Sequence, residues 1–196
     1  MPAHREIRAD FDRETIVMYQ AYGDEIADAA LAAGAFVPPF SLRRMTWIKP
    51  SFLWLMERSA WASRRGQTRI LAVRMTRAGL REALAAAVLT EFEPSIHGSR
   101  EGWREAFDRA DVHVQWDPER SLRGVKLPHR SIQIGLGRAV IESYTRAWVV
   151  KLEDVTARAR KIRRLRDAGQ HARARRLLPP ERVYSLDDAL ARRLGM

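Results

Sequence analysis

The order in which strand-type and helix-type patterning follow one another restricts the fold of this chain more than any other feature. Thr15–Tyr22 (T-I-V-M-Y-Q-A-Y) and residues 69–75 (R-I-L-A-V-R-M) are rich in β-branched, aromatic and aliphatic side chains, as strands are. Residues 111–116 (D-V-H-V-Q-W) and 130–136 (R-S-I-Q-I-G-L) alternate apolar with polar, the period of a half-buried strand. A shorter strand fits 45–48. Between and after them come helical stretches of unequal length. One is capped at Asp24 and ends at Gly34, and one is opened by Pro50-Ser51 and runs from 52 to about 62. Another follows Thr76 over 80–89, and another starts at Ser99 with Trp103 and Phe107 on one face. The last lie at 139–152, 155–168 and 186–194. The interleaving lacks a regular βαβ rhythm, so the expected class is α+β: a mixed or antiparallel sheet with several helices. No glycine-rich phosphate fingerprint follows any strand, against a Rossmann or Walker nucleotide site.

A length of 196 residues suits one domain. The expected layout is an α/β core over 1–152 with a basic helical segment, 153–196, packed on it. With no cysteine, disulfides, thiolate metal sites and a cysteine nucleophile are excluded. The charged start of the chain has no signal-peptide pattern, and the aromatic–aliphatic run at 52–56 is too short for a bilayer. A cytoplasmic protein without a membrane partner is the expectation.

The net charge of +11 is unevenly spread. Residues 41–81 hold ten basic side chains and one acidic, and residues 151–196 hold thirteen and six. The blocks between and before them are acidic or weakly basic. Alternation of this kind can focus positive potential and hold phosphates. Of the 35 basic residues 31 are arginine, a preference that coding bias also produces; bias does not produce the excess over acids. A phosphate-bearing partner, nucleotide or nucleic acid, is therefore expected.

Two stretches carry candidate chemistry. In R-R-M-T-W-I-K-P-S (43–51), Arg43, Arg44 and Lys49 flank Trp47, with Ser51 at a helix start. Cations beside an indole suit a nucleotide, phosphates on the charges and base on the ring. Trp54 and Trp61, seven apart, read as core, and Trp47 is open to the same interpretation. In V-Q-W-D-P-E-R (114–120) a strand runs into a turn bearing Asp117, Glu119 and Arg120, followed by His129, Arg130, Ser131 and Gln133. Asp117 and Glu119 are either general acid and base or a turn former and a surface ion-pair partner of Arg120 or Arg123. His113 and His129 lack the further ligands a metal needs. A Ser131–His129–Asp117 triad is conceivable, without a nucleophile-elbow pattern behind it. The helix at 155–168 puts Val155, Ala159, Ile162 and Leu165 on one stripe and arginines elsewhere. That pattern fits a solvated amphipathic helix and a phosphate-contacting one equally.

The segments I-V-M-Y-Q-A-Y (16–22), R-M-T-W-I-K-P-S-F-L-W-L-M-E-R-S (44–59), V-Q-W-D-P-E-R (114–120) and L-P-H-R-S-I-Q-I-G-L (127–136) carry a resemblance to the domain-of-unknown-function family 4291. The arrangement of strand, following helix and late polar strand also resembles, at fold level, the ADP-ribosyltransferase-like proteins. That resemblance implies NAD as a cofactor. Gln20 and Tyr22 would take the place of the first NAD-contacting strand, and Gln133 would stand where many such enzymes carry a catalytic glutamate. An amide there cannot supply negative charge. The candidate site is thus Gln20, Asp117 and Gln133 for chemistry, with Tyr22, Arg44, Trp47, Lys49, Ser51, Arg120, His129 and Arg130 for binding. The alternative is a non-catalytic RNA- or DNA-binding module that uses the two basic blocks.

Overall fold

In the computed structural model, which describes residues 3–196, strands and helices alternate irregularly along the chain. The strands are β1 (Arg8–Ala9), β2 (Thr15–Tyr22), β3 (Thr46–Ile48), β4 (Arg69–Thr76), β5 (Ala87–Leu89), β6 (Val112–Arg120), β7 (Lys126–Leu136), β8 (Val149–Asp154) and β9 (Arg182–Val183). The helices are α1 (Asp24–Ala33), α2 (Phe52–Arg58), α3 (Arg77–Ala85), α4 (Pro94–His97) and α5 (Arg100–Arg109). After β7 come α6 (Arg138–Ser143), α7 (Thr156–Asp167), α8 (His171–Arg175) and α9 (Asp188–Arg193). The class is α+β.

β2, β4 and β8 form an antiparallel sheet in the order β2-β4-β8; a second has the order β3-β7-β6-β5, with only β5 parallel to its neighbour. The two meet where the Tyr19 amide donates to the Lys49 carbonyl at 2.7 Å. That bond brings the end of β3 to the middle of β2, and the cleft described below opens beside it.

Both faces of β2 are covered. Ile16 and Met18 belong to the main core with Ile48, Val73, Val114, Ile132, Ile134 and Leu80. Val17 and Tyr19 point the other way, onto Phe52, Leu55 and Met56 of α2 and Ala159 and Ile162 of α7. This explains why β2 reads as a nearly unbroken apolar run rather than a strict alternation. The C-terminal segment is more than a cover. β9 pairs with β1, Tyr184 and Leu194 sit in the main core, and Trp116 Nε1 donates to Leu194 O at 2.9 Å.

Several boundaries depart from the sequence expectation, each for a local reason. Thr76 caps α3 as expected, accepting from Gly79 N, but the helix stops at Ala85. Residues 87–89 pair in parallel with Val112–Val114 instead, strand geometry that suits Val88. The expected helix over 139–152 is α6, a wide π turn over Tyr144–Trp148 and then β8, whose Val149 and Val150 lie along the edge of β4. That edge would otherwise leave a row of backbone groups unpaired. α2 ends at Arg58, and Ala60, Trp61 and Ala62 follow with positive φ. Among the described residues no helix is long and apolar enough to cross a membrane.

Gly79 of α3 lies directly under the Trp148 indole, and a methyl group there would run into the ring. Gly79→Ala is expected to lose about 1–2 kcal/mol, because overpacking outweighs the roughly 1 kcal/mol that alanine gains in a helix. Chemical denaturation of the variant checks this; a stabilised protein would mean that the indole swings aside.

Candidate functional site

β3, β7 and β6 place alternate side chains on opposite faces of their sheet. Ile48, Ile132, Ile134, Leu136, Val112, Val114 and Trp116 enter the core. The other face is polar. Register pairs Trp47 with Gly135, Gln115 with Gln133 and Asp117 with Ser131, and Lys49 follows Trp47 two positions on. This face forms the floor of a cleft of about 810 Å³. Its walls are the end of β2 (Tyr19, Gln20 and Tyr22), α2 (Trp54 and Arg58), the loop that includes Phe40 and Arg44, and Gly66–Gln67.

Lys49 is the most confined charge in the cleft, its side chain only 3% exposed. Nζ stands 3.3 Å from Asp117 Oδ2 and 3.3 Å from the Ser131 carbonyl, and 4.1 Å from the centre of the Trp54 ring. Burial lowers its pKa from 10.5 to about 8; the charges of Asp117 and Glu119 limit the fall. The other oxygen of Asp117, Oδ1, accepts from Gln115 Nε2 at 2.9 Å. The floor therefore carries an ammonium–carboxylate pair in which both members are oriented and one is close to neutral pH in its proton affinity.

Gln20 is the hub of a buried network. Its Nε2 lies 2.8 Å from Thr46 Oγ1, 2.7 Å from Tyr22 Oη and 3.2 Å from the Trp47 carbonyl; its Oε1 accepts from Tyr144 Oη at 2.7 Å. An amide so engaged positions its neighbours, here β3 with its Trp47, and has no free group for a reacting atom. Burial holds the Tyr22 phenol above its ordinary range, so Tyr22 serves as a neutral hydrogen-bonding wall. Trp47 is 38% exposed, and Gly135 beneath it leaves the space its ring occupies.

Of the residues expected at a site, Gln20, Tyr22, Arg44, Trp47, Lys49, Asp117 and Gln133 line this one cleft. Ser51, Arg120, His129 and Arg130 do not. Ser51 is a buried helix cap, accepting from Trp54 N and donating to Glu119 Oε1 at 2.8 Å. Arg120 Nη1 donates to the Gly124 carbonyl and Arg130 Nη1 to the Trp116 carbonyl, so both brace backbone. The stretch 117–120 is strand rather than turn: β6 runs to Arg120 with a bulge after Pro118, and the turn lies at 121–124. The bulge accommodates a residue without a backbone donor. Glu119 is accordingly buried rather than paired on the surface. The conceivable triad does not assemble, since His129 lies off the cleft and the Ser131 hydroxyl is buried without a partner. His113 and His129 lie toward opposite ends of the β6–β7 pair, His113 against Phe107.

Gln115, Trp54 and Arg58 of the cleft, and Glu181 at the start of α2, were not anticipated. Trp54, expected in the core, is half-buried and holds the Lys49 ammonium. Arg58, four residues on, shares its helix face; the sequence spacing contained that signal. Glu181 had none. It arrives from 129 positions away, its Oε1 accepting from Phe52 N at 2.8 Å. Burial, then the nearby Glu119 charge, raises its pKa from 4.5 to about 8, against the pull of the Phe52 N–H.

A family model described as domain of unknown function (DUF4291) matches residues 6–184, a span that includes every residue of the cleft. No curated protein matches the chain.

Proposed function

The chain belongs to the DUF4291 family, described as a domain of unknown function, and on that footing we propose that its cleft binds a nucleotide. One observation carries the proposal. A large indole left more than a third exposed stands at the same opening as Arg44 and Arg58, while the ion pair in the cleft is formed deeper, between Lys49 and Asp117. The indole offers a base its π-face, and the two arginines offer phosphates unneutralised charge. Gln115 and Gln133, side by side on the floor, supply amide donors and acceptors for a base edge or ribose. The volume is in the range that takes a small-molecule ligand.

Transfer chemistry on NAD is the finer form of the same proposal. Gln133 faces the cleft as a neutral amide. It would contribute hydrogen bonds, and the negative charge nearest a developing oxocarbenium ion would be Asp117, already bonded to Lys49 and Gln115. Release of nicotinamide from NAD, with the ADP-ribosyl group recovered on an added nucleophile rather than only on water, would support transfer; saturable binding without release would leave a binding protein.

Calorimetry or thermal shift with NAD, ATP and ADP-ribose tests the binding itself. Trp47→Ala is expected to weaken the nucleotide that binds by about tenfold or more, since stacking on an aromatic side chain contributes about 1–3 kcal/mol. Melting temperature without ligand should fall by a few degrees only, because Trp47 is 38% exposed and stands outside the core. No saturable binding by any nucleotide would sink the proposal.

A further inference from the structure

Arginines continue from the mouth of the cleft onto the C-terminal helices, and residues 59–68 make the connection. On one side of this segment Gly66 and Gln67 line the cleft beside Arg58. On its other side it is held by α7. Arg163 Nη1 donates to the Ala60 carbonyl and to Ser63 Oγ, both at 3.2 Å, and Arg160 Nη2 donates to the Thr68 carbonyl at 3.2 Å. Arg166 lies over the Trp61 ring at 4.7 Å. Between these anchors Arg64 and Arg65 are exposed. With Ala159 and Ile162 buried, the helical period turns Arg160 and Arg164 outward on the flank that faces the segment.

Four aspartates near this surface are paired with other arginines. Asp24, Asp28 and Asp154 surround Arg69, and Asp167 holds Arg163 and Arg166. Arg58, Arg64, Arg65 and Arg164 form no ion pair with them, and these four arginines are exposed between the cleft and α7.

We propose that Arg44, Arg58, Arg64, Arg65, Arg160 and Arg164 form a track for the backbone of a single-stranded nucleic acid, one nucleotide of which occupies the cleft. The inference rests on the nucleotide reading of that cleft and extends it from a free nucleotide to one within a strand. An unpaired base fits because the exposed face of Trp47 stacks only on a base that is not in a duplex. A lipid surface fits less well. The exposed large apolar residues are Leu42, Met45, Trp47, Val125, Val150, Val183 and Met196. None of them lies on 59–68 or α7, where a membrane-lying surface would need anchors.

Fluorescence anisotropy of the full chain with labelled single strands of about twelve nucleotides, RNA and DNA, tests the track, with the matching duplex, AMP and phosphatidylserine vesicles alongside. About four phosphate contacts should weaken strand binding by about 50-fold between about 50 and 200 mM salt. The triple variant Arg64→Ser/Arg65→Ser/Arg164→Ser should lower the logarithmic salt slope by about 2 and leave AMP binding unchanged. Its three side chains are exposed, so folding is not at risk. A strand bound no more tightly than AMP, or a triple variant identical to the parent, overturns the track while the cleft reading stands. Equal affinity for the duplex, or tighter binding to the vesicles, overturns it as well. Track-dependent strand binding that survives Trp47→Ala, with no AMP binding, overturns the cleft reading and keeps the track.

Discussion

Replacing Asp117 by leucine is expected to lower folding stability by about 1–2 kcal/mol at pH 7, because it leaves the Lys49 ammonium buried without its counter-charge. The ammonium retains only the Ser131 carbonyl, the Trp54 ring and the more distant charge of Glu119. The loss has a ceiling. Lys49 is already held down to about 8, and giving up its proton at pH 7 costs about 1.4 kcal/mol per pKa unit. Lys49→Met should cost less, below about 1 kcal/mol, since the side chain of Asp117 is 15% exposed and keeps Gln115. The double variant should recover much of what Asp117→Leu loses. Urea denaturation of the three at pH 7 measures the coupling, expected at 1 kcal/mol or more on the order seen for contacting charges. If Asp117→Leu proves no worse than the double variant, Lys49 does not depend on Asp117.

Glu181→Gln is expected to stabilise the protein at pH 8 by about 2 kcal/mol, raising its melting temperature by about 4–8 °C, and to have little effect near pH 4.5. The folded pKa of Glu181 is raised to about 8 from 4.5, so between those values the folded chain holds a proton that the unfolded chain has released. Stability from this group is therefore complete below 4.5 and is lost as pH rises to 8. The full shift would be worth more, but Glu181 keeps part of its surface in water, which screens it. Glutamine retains the oxygen that accepts from Phe52 N and removes the charge. Lys49 has the opposite sign. Its pKa is depressed, so its contribution is complete above 10.5 and is lost as pH falls to 8. The two together place a minimum of stability close to pH 8 in the parent. Melts at pH 5, 8 and 10 check the pattern; a Glu181→Gln gain that is the same at all three would contradict it.

These two groups show unequal visibility in the sequence. Lys49, Trp47 and Arg44 lie within one short run, and Asp117 and Gln133 lie on strands with clear alternation, so a shared polar face could be inferred from residue types. Gln115 was equally available, two positions before Asp117 on the same strand. Glu181 was invisible because it reaches the N-terminus of α2 from a segment with no periodicity. Trp54 was misjudged because an indole in an apolar helix start is usually core, and only the cation above its ring distinguishes it. Ser51, Arg120 and Arg130 looked like ligand contacts because their residue types serve anions and backbone carbonyls equally.

By itself the sequence determined the α+β class, the position of β2 and the presence of a polar floor beside a basic, tryptophan-bearing run. These follow from periodicity and residue type, which act over a few positions. The tertiary structure decided which polar residues share a cleft. It folded Ser51 and Glu119 into the base of α2, continued β6 through Asp117–Arg120, and joined the two basic blocks along residues 59–68. The physical reason is that a side chain's role depends on what desolvates and pairs it, and for Glu181 that partner lies 129 positions away. Local pattern carries no record of such partners.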